Sequence, residues 1–210
     1  MQAFHQFKQL FQDSNAREEA RLIAAAKTGS ERAFDRLMSR NEEALRRYIL
    51  SQVGRDASED VLQETRVAAW MTLDRFAGRS RYRAWLFGIA YFKCQDYHRG
   101  RQGSDRREVA MEEAALERPD PRDPFATADM KMMARSVLEN LPQPQREVME
   151  LYYYGGLTLL EVATVLGRGV NTVKSQFYRA HSRAVEILHE GRSRPQSEMG
   201  YLMAKEKPAP

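Results

Sequence analysis

The sequence predicts an all-α protein made of two small helical domains joined by an acidic, proline-containing linker. Apolar residues recur with the helical period in nearly every ordered segment, and no segment shows the sustained alternation of a strand. A stretch rich in prolines and acidic residues separates the two sets of helices. In the second set, residues 157–180 have the pattern of a helix-turn-helix.

The helix-turn-helix begins with a capping box, because Thr158 is followed three residues later by Glu161. Gly167 supplies the positive φ that ends a helix, and Gly169 is expected to give the turn a second permissive position. The second helix is predicted over about residues 171–181. Its inward side chains are Val173, Phe177, Ala180 and Ala184. Its outward side chains are Asn171, Lys174, Ser175, Tyr178 and Arg179.

The outward side chains are of types that hydrogen-bond phosphates and base edges, so this helix is predicted to lie in a DNA major groove. The alternative is an ordinary helical hairpin with a solvated polar face. The net charge of +4 and the pI of about 9.2 suit a nucleic-acid partner without requiring one.

Domain boundaries follow from the same pattern. The predicted parts are a leader over residues 1–16, a first domain over 17–102, a linker over 103–124, a second domain over 125–189 and a disordered tail over 190–210. Helices of the first domain are expected over residues 17–27, 30–53, 58–76 and 82–99. The aromatic leader is interpreted either as a docking helix or as a loosely held extension.

The linker has a clear negative charge. Between residues 105 and 124 there are seven acidic and four basic side chains, and three prolines break any helix. It is either a passive tether or an acidic strand that lies in a basic channel.

Metal, disulfide and membrane chemistry are not indicated. The single cysteine, Cys94, excludes an internal disulfide and is expected to be a buried apolar side chain. The four histidines have no metal-ligand spacing. No apolar run is long enough to span a membrane and no signal peptide is evident, so the expected location is the cytoplasm.

Two further stretches of the first domain suggest binding surfaces. Acidic and polar residues at 59–64 lie beside an apolar helix face, where early acids also complement the helix dipole. Residues 75–85 interleave arginines with aromatic residues, and this basic stretch is extended by Lys93, His98, Arg99 and Arg101. Cations with interleaved rings suit a single nucleic-acid strand. Trp70 and Trp85 are expected to belong to the core rather than to contact bases.

Taken together, these motifs resemble two regions of a known family. Residues 141–149 and 172–180 resemble region four of bacterial sigma factors. Residues 33–37, 59–65 and 83–90 resemble the opening, the polymerase-binding helix and the promoter-melting segment of region two. Two such regions in a short chain, without a region three between them, are similar to the extracytoplasmic-function (ECF) group.

The resemblance implies three sets of site residues. The minus-35 element would be contacted by Arg168, Asn171, Lys174, Ser175, Tyr178 and Arg179. The minus-10 element and its melting would involve Phe76, Arg79, Arg81, Tyr82, Phe92 and Lys93. Core polymerase would be bound by Glu59, Asp60, Gln63 and Glu64. The family often has Asn in place of Phe92, an apolar aromatic in place of Arg66 and Arg in place of Gln176, so no promoter consensus is transferred.

The resemblance also implies a function: an alternative sigma factor that binds core RNA polymerase, recognises two promoter elements and melts DNA. Its expected partners are promoter DNA and the polymerase β′ coiled coil and β flap. Control by an anti-sigma protein, by phosphorylation or by a tail is left open. No catalytic residue, metal or cofactor is expected. A free-standing helix-turn-helix regulator and an enzyme targeted by its helix-turn-helix are the competing interpretations.

Overall fold

A computed structural model describes the backbone of residues 2–102 and 128–193, and the side chains of residues 15–101 and 133–189. Every regular element in these ranges is helical, which confirms the predicted fold class. The predicted linker and residues 194–210 of the predicted tail lie outside the described residues.

Within the ranges 2–102 and 128–193 the helices follow one another with short connections, and a 3-10 turn over Leu73–Arg75 follows the fourth. Their bounds are α1 (Gln2–Lys27), α2 (Glu31–Ser39), α3 (Glu42–Val53), α4 (Arg55–Thr72), α5 (Tyr82–Gln102), α6 (Ala128–Glu139), α7 (Gln143–Tyr153), α8 (Leu159–Leu166) and α9 (Val170–Ser193).

The chain divides into two compact units. The first comprises residues 1–117 and 150–170, so it contains α1 to α5 together with α8. The second comprises residues 118–149 and 171–210, which include α6 and α9. This division by contacts differs from the division by sequence pattern, and the domain boundaries given above stay a prediction.

The core of the first unit lies between α2, α3, α4 and α5. Leu37, Leu45, Ile49 and Leu86 are fully buried there. Phe87 of α5 is buried as well, and its ring lies 5.6 Å from that of Tyr48. These side chains fix α5, the helix that carries three of the six predicted strand-binding residues. In the second unit, buried apolar side chains include Val137, Leu141, Val148, Val173, Phe177 and Ala180.

One predicted helix is two helices in the structure. Ser30 caps α2 as expected, since its Oγ accepts a hydrogen bond from the backbone N–H of Ala33 at 3.3 Å. The predicted continuous helix to Val53 is wrong, because α2 ends at Ser39 and α3 begins at Glu42. The buried Asn41 explains the break: its side chain donates to the backbone oxygen of Leu37 at 2.9 Å and so competes with the helix.

Other helix ends also differ from the prediction. The backbone of α1 is helical from Gln2, so the leader continues into the first helix, although its first side chains lie outside the described set. The predicted third helix is shorter at its C-terminal end, where α4 passes into the 3-10 turn after Thr72. Helix α9 runs to Ser193 instead of ending near residue 181, because neither glycine nor proline occurs between residues 170 and 190.

Candidate nucleic-acid interface

The start of α8 has the hydrogen bonds that the sequence predicts. The Thr158 Oγ1 accepts from the backbone N–H of Glu161 at 3.3 Å, and the Thr158 N–H donates to a Glu161 carboxylate oxygen at 2.8 Å. This confirms the capping box. Gly167 ends α8 with a φ of 61°, also as predicted. Gly169 differs from the prediction: it has no positive φ, and α9 begins at the next residue.

Helix α9 separates its polar and apolar side chains as expected. Val173, Phe177 and Ala180 are buried and Ala184 is half-buried. The predicted outward side chains are all exposed, and Arg168 is half-buried just before the helix; the exposed set is Asn171, Lys174, Ser175, Tyr178 and Arg179. One face of α9 therefore presents hydrogen-bonding and basic groups to solvent.

The cations on this face are unpaired. Lys174, Arg179 and Arg183 form no ion pair with any residue in the described part of the chain. Arg179 and Arg183, one helical turn apart, line a shallow groove together with Gln145, Tyr178, Ser182 and Glu186. Sequence reasoning missed Arg183 because it ended the helix near residue 181; the spacing of four from Arg179 was the available signal.

The loop before α5 holds two of the predicted strand-binding rings inside the core. Phe76 is only 6% exposed, and its ring lies 6.0 Å from that of Tyr82 and 5.3 Å from that of Trp85. Tyr82 is fully buried, and burial raises the pKa of its hydroxyl. These two rings do not face solvent. They therefore pack beneath the predicted strand-binding surface and are not part of it. Trp85 packs in the same cluster but is half-buried rather than buried, so it lies at the edge of the core.

The other predicted strand-binding residues lie at the surface. Arg79 is exposed, and Phe92 is 59% exposed with its ring against Tyr91. The Lys93 ammonium donates to the Glu64 carboxylate at 3.1 Å. This contact joins α4 and α5, and so it joins a predicted polymerase-binding residue to a predicted DNA-binding residue.

The acidic and polar side chains of α4 share its exposed side. Glu59, Asp60, Gln63 and Glu64 are exposed. Glu59 pairs with Arg46 of α3, and hydrogen bonds from Arg46 and then Gln63 hold the pKa of Glu59 below its usual value.

The exposed side of α4 becomes apolar beyond these acids. Val67 and Met71 are 57% and 73% exposed, one and two turns further along the helix. Trp70 was expected in the core, but it is 36% exposed, and its ring packs edge-to-face with that of Phe34, with 4.9 Å between ring centroids.

A contact that the sequence did not indicate holds the loop before α5 to α8. Arg81 donates from Nε and Nη2 to the two carboxylate oxygens of Glu161, at 2.6 and 2.8 Å. Arg83 donates from Nε to the backbone oxygen of Gly155 at 2.6 Å. Burial raises the pKa of Glu161, but hydrogen bonds from Arg81 and Thr158 outweigh it, so the pKa lies below the usual value. No local sequence signal links positions 80 residues apart.

Cys94 is buried, as predicted, and burial raises the pKa of its thiol to about 12. Among the described residues, no three His, Cys, Asp or Glu side chains are grouped as metal ligands. None of the helices in the described ranges has the length and apolar character needed to cross a membrane.

Comparison with known families now adds to this geometry. Residues 37–103 match the family Sigma-70 region 2, and residues 131–183 match Sigma-70, region 4. The chain is 32% identical over 185 residues to RNA polymerase sigma factor CnrH of Cupriavidus metallidurans, covering 83% of this chain and 96% of the relative. It is 32% identical over 148 residues to ECF RNA polymerase sigma factor EcfG of Rhodopseudomonas palustris, covering 70% and 80%.

Solved structures agree. CnrH in complex with the cytosolic domain of CnrY superposes with a TM-score of 0.63 at 31% identity, covering 82% of this chain and 98% of that one. The sigma factor RpoE in complex with the anti-sigma factor NepR, from Bartonella quintana, gives a TM-score of 0.59 at 30% identity, covering 74% and 96%.

The fold and the two matched regions define a transcription initiation factor of the sigma-70 type. The chain belongs to the ECF RNA polymerase sigma factors. It is an alternative sigma factor, which directs RNA polymerase to specific promoters.

Proposed function

We propose that this sigma factor uses three surfaces of the described chain. The exposed face of α9 reads the minus-35 element, the loop before α5 and the outer side of α5 capture the minus-10 strand, and α4 binds core polymerase. The observation that carries the proposal is the exposed face of α9 in a capped helix-turn-helix, on which Lys174 and Arg179 have no ion pair within the described chain. Cations without an internal ion pair can bond to DNA without giving one up.

On α9, position along the helix suggests the division of roles. Arg168 and Asn171 lie at the N-terminal end and bind phosphate, where the helix dipole favours an anion. Lys174, Ser175, Tyr178 and Arg179 follow on the exposed face and contact base edges. This division supports recognition of a short duplex element by a single helix.

At the minus-10 element the surface residues do the binding. Arg79, Arg81 and Lys93 bind phosphates of the displaced strand, and Phe92 offers an exposed ring on which an unpaired base stacks. Phe76 and Tyr82, which the sequence assigned to the same surface, hold the loop from within the core.

On α4, Glu59, Asp60, Gln63 and Glu64 bind the basic β′ coiled coil, while region four binds the β flap. The RpoE relative in complex with an anti-sigma factor supports a protein inhibitor as a further partner of this chain. The protein itself does no covalent chemistry, because the polymerase active site joins the nucleotides. It acts in the cytoplasm, where the polymerase and the promoters are.

Run-off transcription tests the proposal directly. Core polymerase is incubated with a promoter library, with and without the full chain, and the transcripts are sequenced. Protein-dependent transcripts that share two spaced motifs are the expected result. If the protein starts no transcript but protects a palindrome alone, the free-standing regulator is the correct interpretation and the region-two roles fail.

A further inference from the structure

We infer that the segment leading into and forming α8 masks the strand-binding arginine before α5, so that Arg81 reaches a DNA phosphate only after leaving Glu161. The inference rests on the proposed function, because it takes Arg81 to belong to the minus-10 surface. The bidentate contact uses both carboxylate oxygens of Glu161 and two nitrogens of Arg81, at 2.6 and 2.8 Å. A phosphate offers the same paired oxygens, so Glu161 and DNA compete for one guanidinium.

The mask has a second attachment two residues further along the chain. Arg83 donates to the backbone oxygen of Gly155 at 2.6 Å, so two arginines bind the segment that leads into α8. Glycines make this approach possible. A Cβ on Gly155 would lie 2.3 Å from the backbone oxygen of Leu151 and 3.2 Å from Cε1 of Phe87, and one on Gly156 would lie 3.1 Å from Nη2 of Arg83.

Burial differs between the two partners, and the difference indicates which one moves. The Glu161 side chain is 10% exposed, whereas that of Arg81 is 64% exposed. Glu161 also accepts hydrogen bonds from the backbone N–H and the hydroxyl of Thr158, both at 2.8 Å. Both of these bonds go to Oε2, so Oε2 stays hydrogen-bonded when Arg81 leaves, whereas Oε1 exchanges its bond from Arg81 Nε for one from water. Arg79, two residues earlier, has no ion pair within the described chain, so the mask acts on Arg81 in particular.

The test measures how tightly the full chain, without polymerase, binds single-stranded DNA. The probe is a fluorescent oligonucleotide with the non-template minus-10 sequence of a promoter found by run-off transcription. Glu161→Gln removes the charge and keeps the capping box, which accepts Gln at this position. Arg83→Met loosens the second attachment without touching a proposed DNA contact. Glu43→Gln, an exposed acid on α3, is the control for net charge.

The expected result is that Glu161→Gln and Arg83→Met bind the oligonucleotide about fivefold more tightly than the natural chain, the change that about 1 kcal/mol produces. Glu43→Gln leaves the affinity unchanged. In an Arg81→Ala background, which binds more weakly, Glu161→Gln has no further effect, because the competing cation is gone. Circular dichroism shows whether each variant is folded. If Glu161→Gln does not fold, the binding measured for Arg83→Met decides the test.

Two outcomes overturn the mask, and neither is the failure of the proposed function. If Arg81→Ala weakens binding but Glu161→Gln and Arg83→Met do not strengthen it, Arg81 binds DNA without being masked. If Glu161→Gln strengthens binding equally with and without Arg81, the effect is general charge. In both cases polymerase-dependent initiation by the natural chain stands, whereas its absence in the run-off experiment removes the proposed function itself.

Discussion

The two proposed DNA surfaces differ in the state of their cations. On α9, Lys174, Arg179 and Arg183 have no acidic partner in the described chain. Around α5, Arg81 pairs with Glu161, Lys93 with Glu64 and Arg99 with Asp96. Duplex contacts by Lys174, Arg179 and Arg183 therefore cost no ion pair within the described chain, whereas strand capture by Arg81 and Lys93 requires two ion pairs to be exchanged. This difference favours the order that initiation needs, in which the duplex is recognised before it is opened.

The largest expected effects separate a core ring from a surface ring. Phe76→Ala should lower the free energy of unfolding by about 3–5 kcal/mol, because its buried ring packs against Tyr82 and Trp85. Phe92→Ala should change the free energy of unfolding by no more than about 0.5 kcal/mol, because the ring of Phe92 is mostly exposed. Denaturant unfolding of both variants measures the contrast.

The exposed ring of Phe92 is also expected to matter for DNA binding. Phe92→Ala should weaken capture of the minus-10 strand by about 1–3 kcal/mol, the loss of one stacked base. Permanganate footprinting of holoenzyme on promoter DNA measures the opened bases. A folded Phe92→Ala protein that opens promoters as well as the natural chain would remove the stacking role.

Next in size are the base contacts of α9. Lys174→Ala and Arg179→Ala should each cost about 1–3 kcal/mol on the natural minus-35 element and relax the preference at one position. Run-off transcription on promoters with single minus-35 substitutions measures both effects. Arg135→Ala is the matched control, because Arg135 pairs with Glu139 on α6. Equal losses on every promoter would show that these cations bind phosphate instead of bases.

The contrast between the surfaces also shows what the sequence reveals. The capping box, the glycine end of α8 and the polar face of α9 depend on neighbours within a few residues, and the local pattern predicted each of them. The break at Asn41 was missed because an apolar stripe continues across it, while a buried side-chain hydrogen bond ends the helix.

Long-range packing accounts for the other differences. The sequence assigned Phe76 and Tyr82 to the DNA-binding surface, because rings among arginines suit a single nucleic-acid strand. In the structure these two rings lie in the core, where they pack with each other and with Trp85. The Arg81–Glu161 contact joins residues far apart in the chain, so the local periodicity of the sequence cannot predict it. The roles of the surface residues remain predictions, since burial and pairing show availability and not what binds.

A smaller effect is expected at the far side of the α9 groove. Arg183→Gln should weaken all promoters alike and lower the slope of log K against log salt by about 0.9, the value for one phosphate contact. Titration of holoenzyme on duplex minus-35 DNA at several salt concentrations gives the slope, with Arg135→Gln as the control. A slope equal to that of the natural chain would place Arg183 outside the interface.

The smallest effect tests whether the masked state is electrostatic. Because the pKa of Glu161 is lowered in the folded protein, its contribution to stability is full above the ordinary value of 4.5 and is lost as the pH falls through the folded pKa. The Glu161→Gln variant lacks this titration. At neutral pH the free energy of unfolding of the natural chain should exceed that of the variant by no more than about 1 kcal/mol, because Arg81 is largely exposed. That excess should shrink as the pH falls below the ordinary value. Unfolding of both proteins across this range measures it, and an equal pH dependence in an Arg81→Ala background would mean that Glu161 stabilises α8 through its capping bonds with Thr158 rather than through Arg81.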